Sequence, residues 1–207
     1  MANPWEKIEL SDYENHMSLE SVYQLQVLNQ MMGEQFEAYD IDIIMILGIA
    51  GGNGLEHIDK SKIKKVYGVD VNQDFLAECK KRYESLGDVL VTIRADLSDE
   101  RLQLPCSQLL VANLLVEYIG YECFQRIVGW VKPIYVSCII QINTADSFVS
   151  DSPYIHAFDR LEEVHHQMEE KSLTDCMSQI GYGLKHTIEQ LLPNGKKFVR
   201  LDFVEER

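Results

Sequence analysis

At 207 residues, with 46% hydrophobic and 25% charged residues, the chain has the apolar material for one sizeable core, and general disorder is excluded. A formal net charge of -14 argues against a phosphate-backbone partner, because the one dense basic run, Lys60-Ser61-Lys62-Ile63-Lys64-Lys65, reads as a solvated surface. Cys79, Cys106, Cys123, Cys138 and Cys176 show no CxxC spacing and read as reduced core residues. No stretch approaches the ~18 consecutive apolar residues of a membrane span and no basic-then-apolar leader opens the chain, so a cytoplasmic protein without a membrane partner is expected.

In chain order, Ser18 to Phe36 carries Val22, Leu25, Leu28, Met32 and Phe36 at helical spacing, which predicts an amphipathic leading helix capped by Ser18. Ile43-Ile44-Met45-Ile46-Leu47, closed by glycines, predicts a strand buried on both faces. Val66 to Val69 predicts a second strand, Asp74 to Leu86 a helix, and Val89 to Ile93, Leu109 to Ala112 and Ile134 to Ile142 further strands, with a helix over Tyr121 to Val131. Strand and helix alternate, so the sheet is parallel and covered on both faces. The pattern breaks at Leu184 to Leu191 and Lys197 to Val204, two strands joined by Leu192-Pro193-Asn194-Gly195-Lys196, where Asn-Gly signals an antiparallel hairpin. We expect one domain over 1–207: a helical lid over 1–40 and a doubly wound α/β core over 41–207.

Open α/β sheets bind ligands beyond the carboxyl ends of their strands. After the first strand stands Gly48-Ile49-Ala50-Gly51-Gly52-Asn53-Gly54, then Leu55-Glu56-His57-Ile58, which can open a helix; the loop is either a ligand cradle or only a tight turn. The dinucleotide pattern G-x-G-x-x-G fits in no register, which disfavours a nicotinamide oxidoreductase, and no Walker sequence follows. Asp70, 22 positions after Gly48, either accepts hydrogen bonds from ribose hydroxyls or caps a helix, with Asp74 competing for the cap. Asp96 either meets an exocyclic amino group, with Val71 and Leu97 holding the flat ring, or caps the turn through Ser98-Asp99-Glu100.

Together, Ile46 to Gly54, Val69-Asp70-Val71-Asn72, Ala95-Asp96-Leu97 and the final hairpin resemble the class I S-adenosylmethionine-dependent methyltransferases. The resemblance implies a mostly parallel seven-stranded sheet with a C-terminal antiparallel hairpin and helices on both faces. It also implies that S-adenosylmethionine is the cofactor and S-adenosylhomocysteine the product. The implied contacts are Gly48, Ala50, Gly51, Gly52 and Asn53 for the methionine part, Asp70 with Val71, Asn72 and Phe75 around the ribose, Asp96 and Leu97 for adenine, and Asn113 and Leu114 beside the sulfonium. Two positions depart from the family: Gly48 stands where an acid is usual and Ala50 where a glycine is usual. The Asp/Asn-Pro-Pro-aromatic signature is also missing after Asn113, which weakens a nucleic-acid or glutamine substrate.

A methyl group on a sulfonium is already activated, so in-line transfer needs a base only for a protonated acceptor. The acceptor is expected to be a small molecule or an exposed protein side chain. His16 and Tyr118 are the catalytic candidates, among aromatic and polar residues that include Trp5, Tyr13, Met17, Glu117, Tyr121, Tyr154, His156 and Phe158. The segment from Trp5 to Phe36 and the connection from 144 to 158 are expected to enclose the acceptor. Glu162, His165, His166, Glu169 and Glu170 read as a solvated helix rather than a metal site. A non-catalytic nucleoside- or partner-binding protein of the same fold is the competing expectation.

Overall fold

Five consecutive apolar residues form β1 (Ile43–Leu47), an interior strand of the sheet paired on both edges. The computed structural model describes residues 3–143 and 148–206. β2 (Lys65–Asp70) and β3 (Leu90–Arg94) add on one side of β1, β4 (Leu109–Asn113) and β5 (Tyr135–Ile142) on the other, all parallel. β6 (Tyr182–Leu191) and β7 (Lys197–Glu205) form the expected hairpin, and β7 inserts antiparallel beside β5, giving the order β3-β2-β1-β4-β5-β7-β6. The order reverses between β1 and β4, which opens a crevice at their carboxyl ends.

Alternation along the strands feeds two core layers. Ile44, Ile46, Leu109 and Val111 pack against α2 (Gln24–Glu37) and α3 (Gln73–Arg82) through Met32, Phe36, Leu76 and Cys79. Met45, Leu47, Leu110 and Ala112 face α4 (Val116–Val131) and α5 (Glu170–Gln179) through Phe124, Ile127, Leu173 and Met177. Near the lid a buried chain of polar side chains crosses three strands. Asn113 and Gln35 exchange hydrogen bonds of 2.8 and 2.9 Å, Gln35 donates to Ser137 (2.8 Å), Ser137 donates to Asp202, and Arg200 grips Asp202 through two bonds.

Several local expectations change. The leading helix expected over Ser18 to Phe36 begins only at Gln24, because Leu19 turns extended and Tyr23 sits at φ 54° before α2 begins, and a separate helix, α1 (Leu10–Ser18), precedes it and ends at the residue expected as the cap. Leu55–His57 is only a short 3-10 turn, and Asp74 to Leu86 is helical only to Arg82, followed by 3-10 turns through Gly87 at φ +53°. α4 starts five residues earlier than expected, at Val116 rather than Tyr121, with a break at Gly120 (φ 73°, ψ 167°). The expected solvated helix at His165 and His166 is absent: 164–169 is irregular, between a 3-10 segment (Ile155–Glu163) and α5. Cys106 is exposed, while the other four cysteines are buried. Among the described residues no helix is long and apolar enough to cross a membrane.

Candidate functional site

The chain leaves β1 through Gly48 at φ +69°, a left-handed turn that L side chains avoid. A Cβ there would meet Leu115 at 3.2 Å, so the carboxylate usual at this position has no room without a shift. Ala50, at φ 46°, holds the same conformation with a methyl group, at a cost of about 1 kcal/mol. What holds it is Asp70: the Ala50 amide donates to one carboxylate oxygen (2.9 Å) and the Asn72 amide to the other (2.9 Å). Burial pushes the Asp70 carboxyl up, and these amides pull it back.

Neither Asp70 nor Asp74 caps α3. Asn72 does, accepting from the amides of Asp74 (3.0 Å) and Phe75 (3.3 Å) while donating to the carbonyls of Trp5 (3.0 Å) and Ile8 (3.1 Å). Its side chain clamps the lid to α3 and does not line the cavity, which corrects its expected place among the cofactor contacts. At Gly51 and Gly52 packing leaves no room for a Cβ, which would run into the Glu14–Arg82 pair at the first and into Cys79 and Tyr83 at the second. Asn53 is committed to α2, donating to the Leu25 carbonyl (2.9 Å) and accepting from Asn29 (2.9 Å).

The remaining expected residues converge. A cavity of about 100 Å³ is bounded by Gly48, Ala50, Asp70, Val71, Phe75, Asp96, Leu97, Asn113 and Leu114, and is roofed by Trp5, Tyr13 and Tyr118. It joins the exits of four consecutive strands, with carboxylates at two of them and apolar faces between. One Asp96 oxygen accepts from the Ser98 amide (2.9 Å) and hydroxyl (2.7 Å), so the turn-capping alternative holds for that oxygen while the side chain also borders the cavity. The Asn113 amide is spent on Gln35, which leaves the residue a wall rather than a free donor.

The segment expected to form a lid borders this cavity through Trp5 and Tyr13. Its 3-10 turn (Pro4–Lys7) and α1 cross the crevice, tied down by Arg82 to Glu14 (2.5 and 2.9 Å) and Arg94 to Glu6 (3.0 Å). Tyr13 borders the main cavity and two others: one of about 40 Å³ under the glycine loop with Glu14, Gly51 and Asn53, and one of about 60 Å³ on the far side of Tyr118. The last is walled by Trp5, His16, Met17, Leu114, Glu117, Gln141, Phe148, Phe158 and His165. Phe148 stacks on His165 at 3.9 Å between centroids, and Trp5 meets Tyr118 edge-on at 5.0 Å. Positions 144–147 of the expected enclosing connection lie outside the described residues.

Electrostatics divide the candidates. His16 hydrogen-bonds Ser152 through Nδ1 (2.8 Å), and burial, aided by the Lys196 ammonium, pushes its imidazole down to about 4. A base that weak is a neutral hydrogen-bonding partner at pH 7, which weakens its standing as a catalytic candidate. Tyr118 is half-buried beside Glu117, and desolvation with the Glu117 charge drives its phenol far up. Glu117, 4% exposed, is pushed up to about 7 by burial, against bonds from its own backbone and the Gln141 amide (3.3 Å). Its Oε2 and Trp5 Nε1 have no hydrogen-bond partner among the described residues.

The sequence named Glu117 only as one of several polar neighbours, because it placed the helix start at Tyr121; the structure begins α4 at Val116 and breaks it at Gly120. Tyr121 instead bonds the Glu169 backbone, and His156 is exposed beside Asp159. Among the described residues no group of three or more His, Cys, Asp or Glu could hold a metal.

No family model and no curated protein matches the chain. Solved structures do. Magnesium protoporphyrin IX methyltransferase (ChlM) from Synechocystis PCC 6803, crystallised with S-adenosylhomocysteine, is similar at 10% identity and TM-score 0.63, over 88% of this chain and 83% of that one. The methyltransferase domain of bacterial CtHen1-C is similar at 15% identity and TM-score 0.65, over 86% of this chain and 97% of that one. The cyclase SpnF is similar at 11% identity and TM-score 0.67, over 87% and 82%. The chain has the class I methyltransferase fold, with the mostly parallel sheet and closing antiparallel pair that its sequence predicted.

Proposed function

We propose that this protein binds S-adenosylmethionine at the exits of β1 to β4 and transfers its methyl group to a small acceptor held under the lid. The observation that carries this reading is the main cavity, where Asp70, Val71, Asp96 and Leu97 from two successive strand exits meet the Gly48–Ala50 turn and Leu114. The residues fit the group: paired carboxylate oxygens suit a ribose, Val71, Phe75 and Leu97 suit a flat base, and the exposed backbone at Gly48 suits the methionine arm. When bound, the cofactor supplies a methyl carbon on a positively charged sulfur. This chain's residues orient donor and acceptor in line, and the lid excludes water. Similar folds crystallised with S-adenosylhomocysteine support the same reading.

A second reading, a nucleoside-binding protein without transfer, is favoured by the Ala50 strain and by the tight contact with Leu115 that a side chain at Gly48 would make. Thermal denaturation separates the two. S-adenosylhomocysteine at about 100 times its Kd raises stability by about 2.7 kcal/mol, and adenosine, lacking the methionine arm, raises it far less at equal concentration. Equal shifts from both favour the second reading; a shift from NAD alone sinks both.

A further inference from the structure

Glu117 is the buried carboxylate that the cofactor side leaves unused. It sits on the first turn of α4, before the Gly120 break, and lines the cavity beyond Tyr118. One oxygen accepts from the Gln141 amide at 3.3 Å, and the other has no partner among the described residues. Around it stand the aromatic rings of Trp5, Tyr13, Tyr118, Phe148 and Phe158. A ring-lined cavity with one unpaired carboxylate attracts a cationic nitrogen twice, through the ring faces and through the negative oxygen. It repels an anion, which would meet that carboxylate in a low-dielectric enclosure. Of the other titratable walls, His16 is pushed down by burial and Lys196, and His165 by burial, His166 and Lys196; the Lys196 ammonium is the one nearby cation, it lies outside the lining bonded to the Phe148 carbonyl, and burial lowers it to about 8.

We propose that this cavity takes the amine head of the methyl acceptor, with Glu117 pairing to the nitrogen and receiving its proton. The inference deepens the methyl-transfer reading and rests on it for the reaction, though not for the binding. The acceptor N–H bond breaks with its proton going to the Glu117 carboxylate. The freed nitrogen lone pair forms the new N–C bond as the methyl C–S bond breaks, its electron pair returning to sulfur. A Glu117 carboxyl pushed up toward neutrality suits this transfer better than an ordinary glutamate would. The volume of about 60 Å³ limits the guest. At roughly 10–15 Å³ per water-sized atom it admits about five non-hydrogen atoms, so the site accepts a small amine or the end of a longer one.

The test is ligand-observed NMR titration of the full chain at pH 8 with isobutylamine, isobutanol and isobutyrate, three probes of similar shape and different charge. Wild-type protein is expected to bind isobutylamine about tenfold or more tightly than isobutanol, with no binding of isobutyrate. Glu117→Gln is expected to abolish the amine preference. The proposal is overturned if isobutanol or isobutyrate binds as tightly as the amine, or if the preference survives Glu117→Gln. The wild-type ranking decides alone should the variant not fold. Titrating S-adenosylhomocysteine into the same samples tests the methyl-transfer reading separately: an amine preference without its binding keeps the site and discards the reaction.

Discussion

The two cavities that meet at Tyr13 and Tyr118 are built in opposite ways. On the proposed cofactor side the chain turns at consecutive strand exits, and the polar groups there are engaged by backbone: Asp70 by two amides, Asn72 by a helix start, Asp96 by a turn. On the proposed acceptor side four distant stretches contribute side chains; of the buried polar atoms without a partner among the described residues, Glu117 Oε2 belongs to that cavity, and Trp5 Nε1 belongs to a ring that walls both. A site made by backbone turns is satisfied before a ligand arrives. A site made by converging side chains keeps unmet hydrogen-bonding capacity, which costs stability and is the signature of a place evolved for something other than packing.

The largest expected effect tests that cost directly. The Glu117 carboxyl is raised from 4.5 to about 7 in the fold, so between those values the folded state binds more protons than the unfolded one and stability falls as pH rises. Glu117→Gln is expected to match wild-type stability near pH 4 and to exceed it by roughly 3 kcal/mol at pH 8, read from denaturant midpoints at both pH values. His16 runs the other way. Lowered from 6.5 to about 4, it makes stability rise with pH across that window. The two slopes oppose each other between pH 4.5 and 6.5, and wild type is flat where each single variant tilts. Tyr13 and Tyr118, packed beside them, stay neutral throughout, and Lys196 titrates only near 8. An Glu117→Gln advantage equal at pH 4 and pH 8 would place no strained charge in the acceptor cavity and erase the contrast.

On the cofactor side the leverage is on affinity. Asp70→Ala is expected to weaken S-adenosylhomocysteine by about 2 kcal/mol, near thirtyfold in calorimetry, while Glu117→Gln leaves that affinity within about twofold. If both variants lose cofactor equally, the cavities are one site rather than two. A smaller effect sharpens the backbone half of the comparison. Ala50 holds φ 46°, so Ala50→Gly is expected to relieve about 1 kcal/mol of strain, less the entropy the unfolded chain gains, for a net change of a few tenths in the stabilising direction. A clear loss of stability would mean that the methyl contacts matter more than the turn. Smallest is Arg82→Gln, which cuts the exposed grip on Glu14. It is expected to cost under 1 kcal/mol globally while raising hydrogen exchange in α1 more than in the sheet.

The sequence by itself determined the sheet and the turns at its carboxyl edge. Buried strands advertise themselves as apolar runs, glycine-rich turns as composition, and strand-exit acids as single letters at fixed distances, because each of these properties is local along the chain. Ile43 to Leu47, Gly48, Asp70, Asp96 and the Asn194-Gly195 hairpin were all legible on those grounds. What only the tertiary structure decided is which polar letters were already spent. Asn72 and Asn113 were read as ligand contacts, yet each has partners in the fold: Asn72 the carbonyls of Trp5 and Ile8, Asn113 the amide of Gln35 on α2. Glu117, one carboxylate among 33 acidic residues, stood out only once its helix start, the lid and the 148–165 stretch were seen to enclose it. Burial of a charge is a sum over segments far apart in the chain, and no local pattern records that sum.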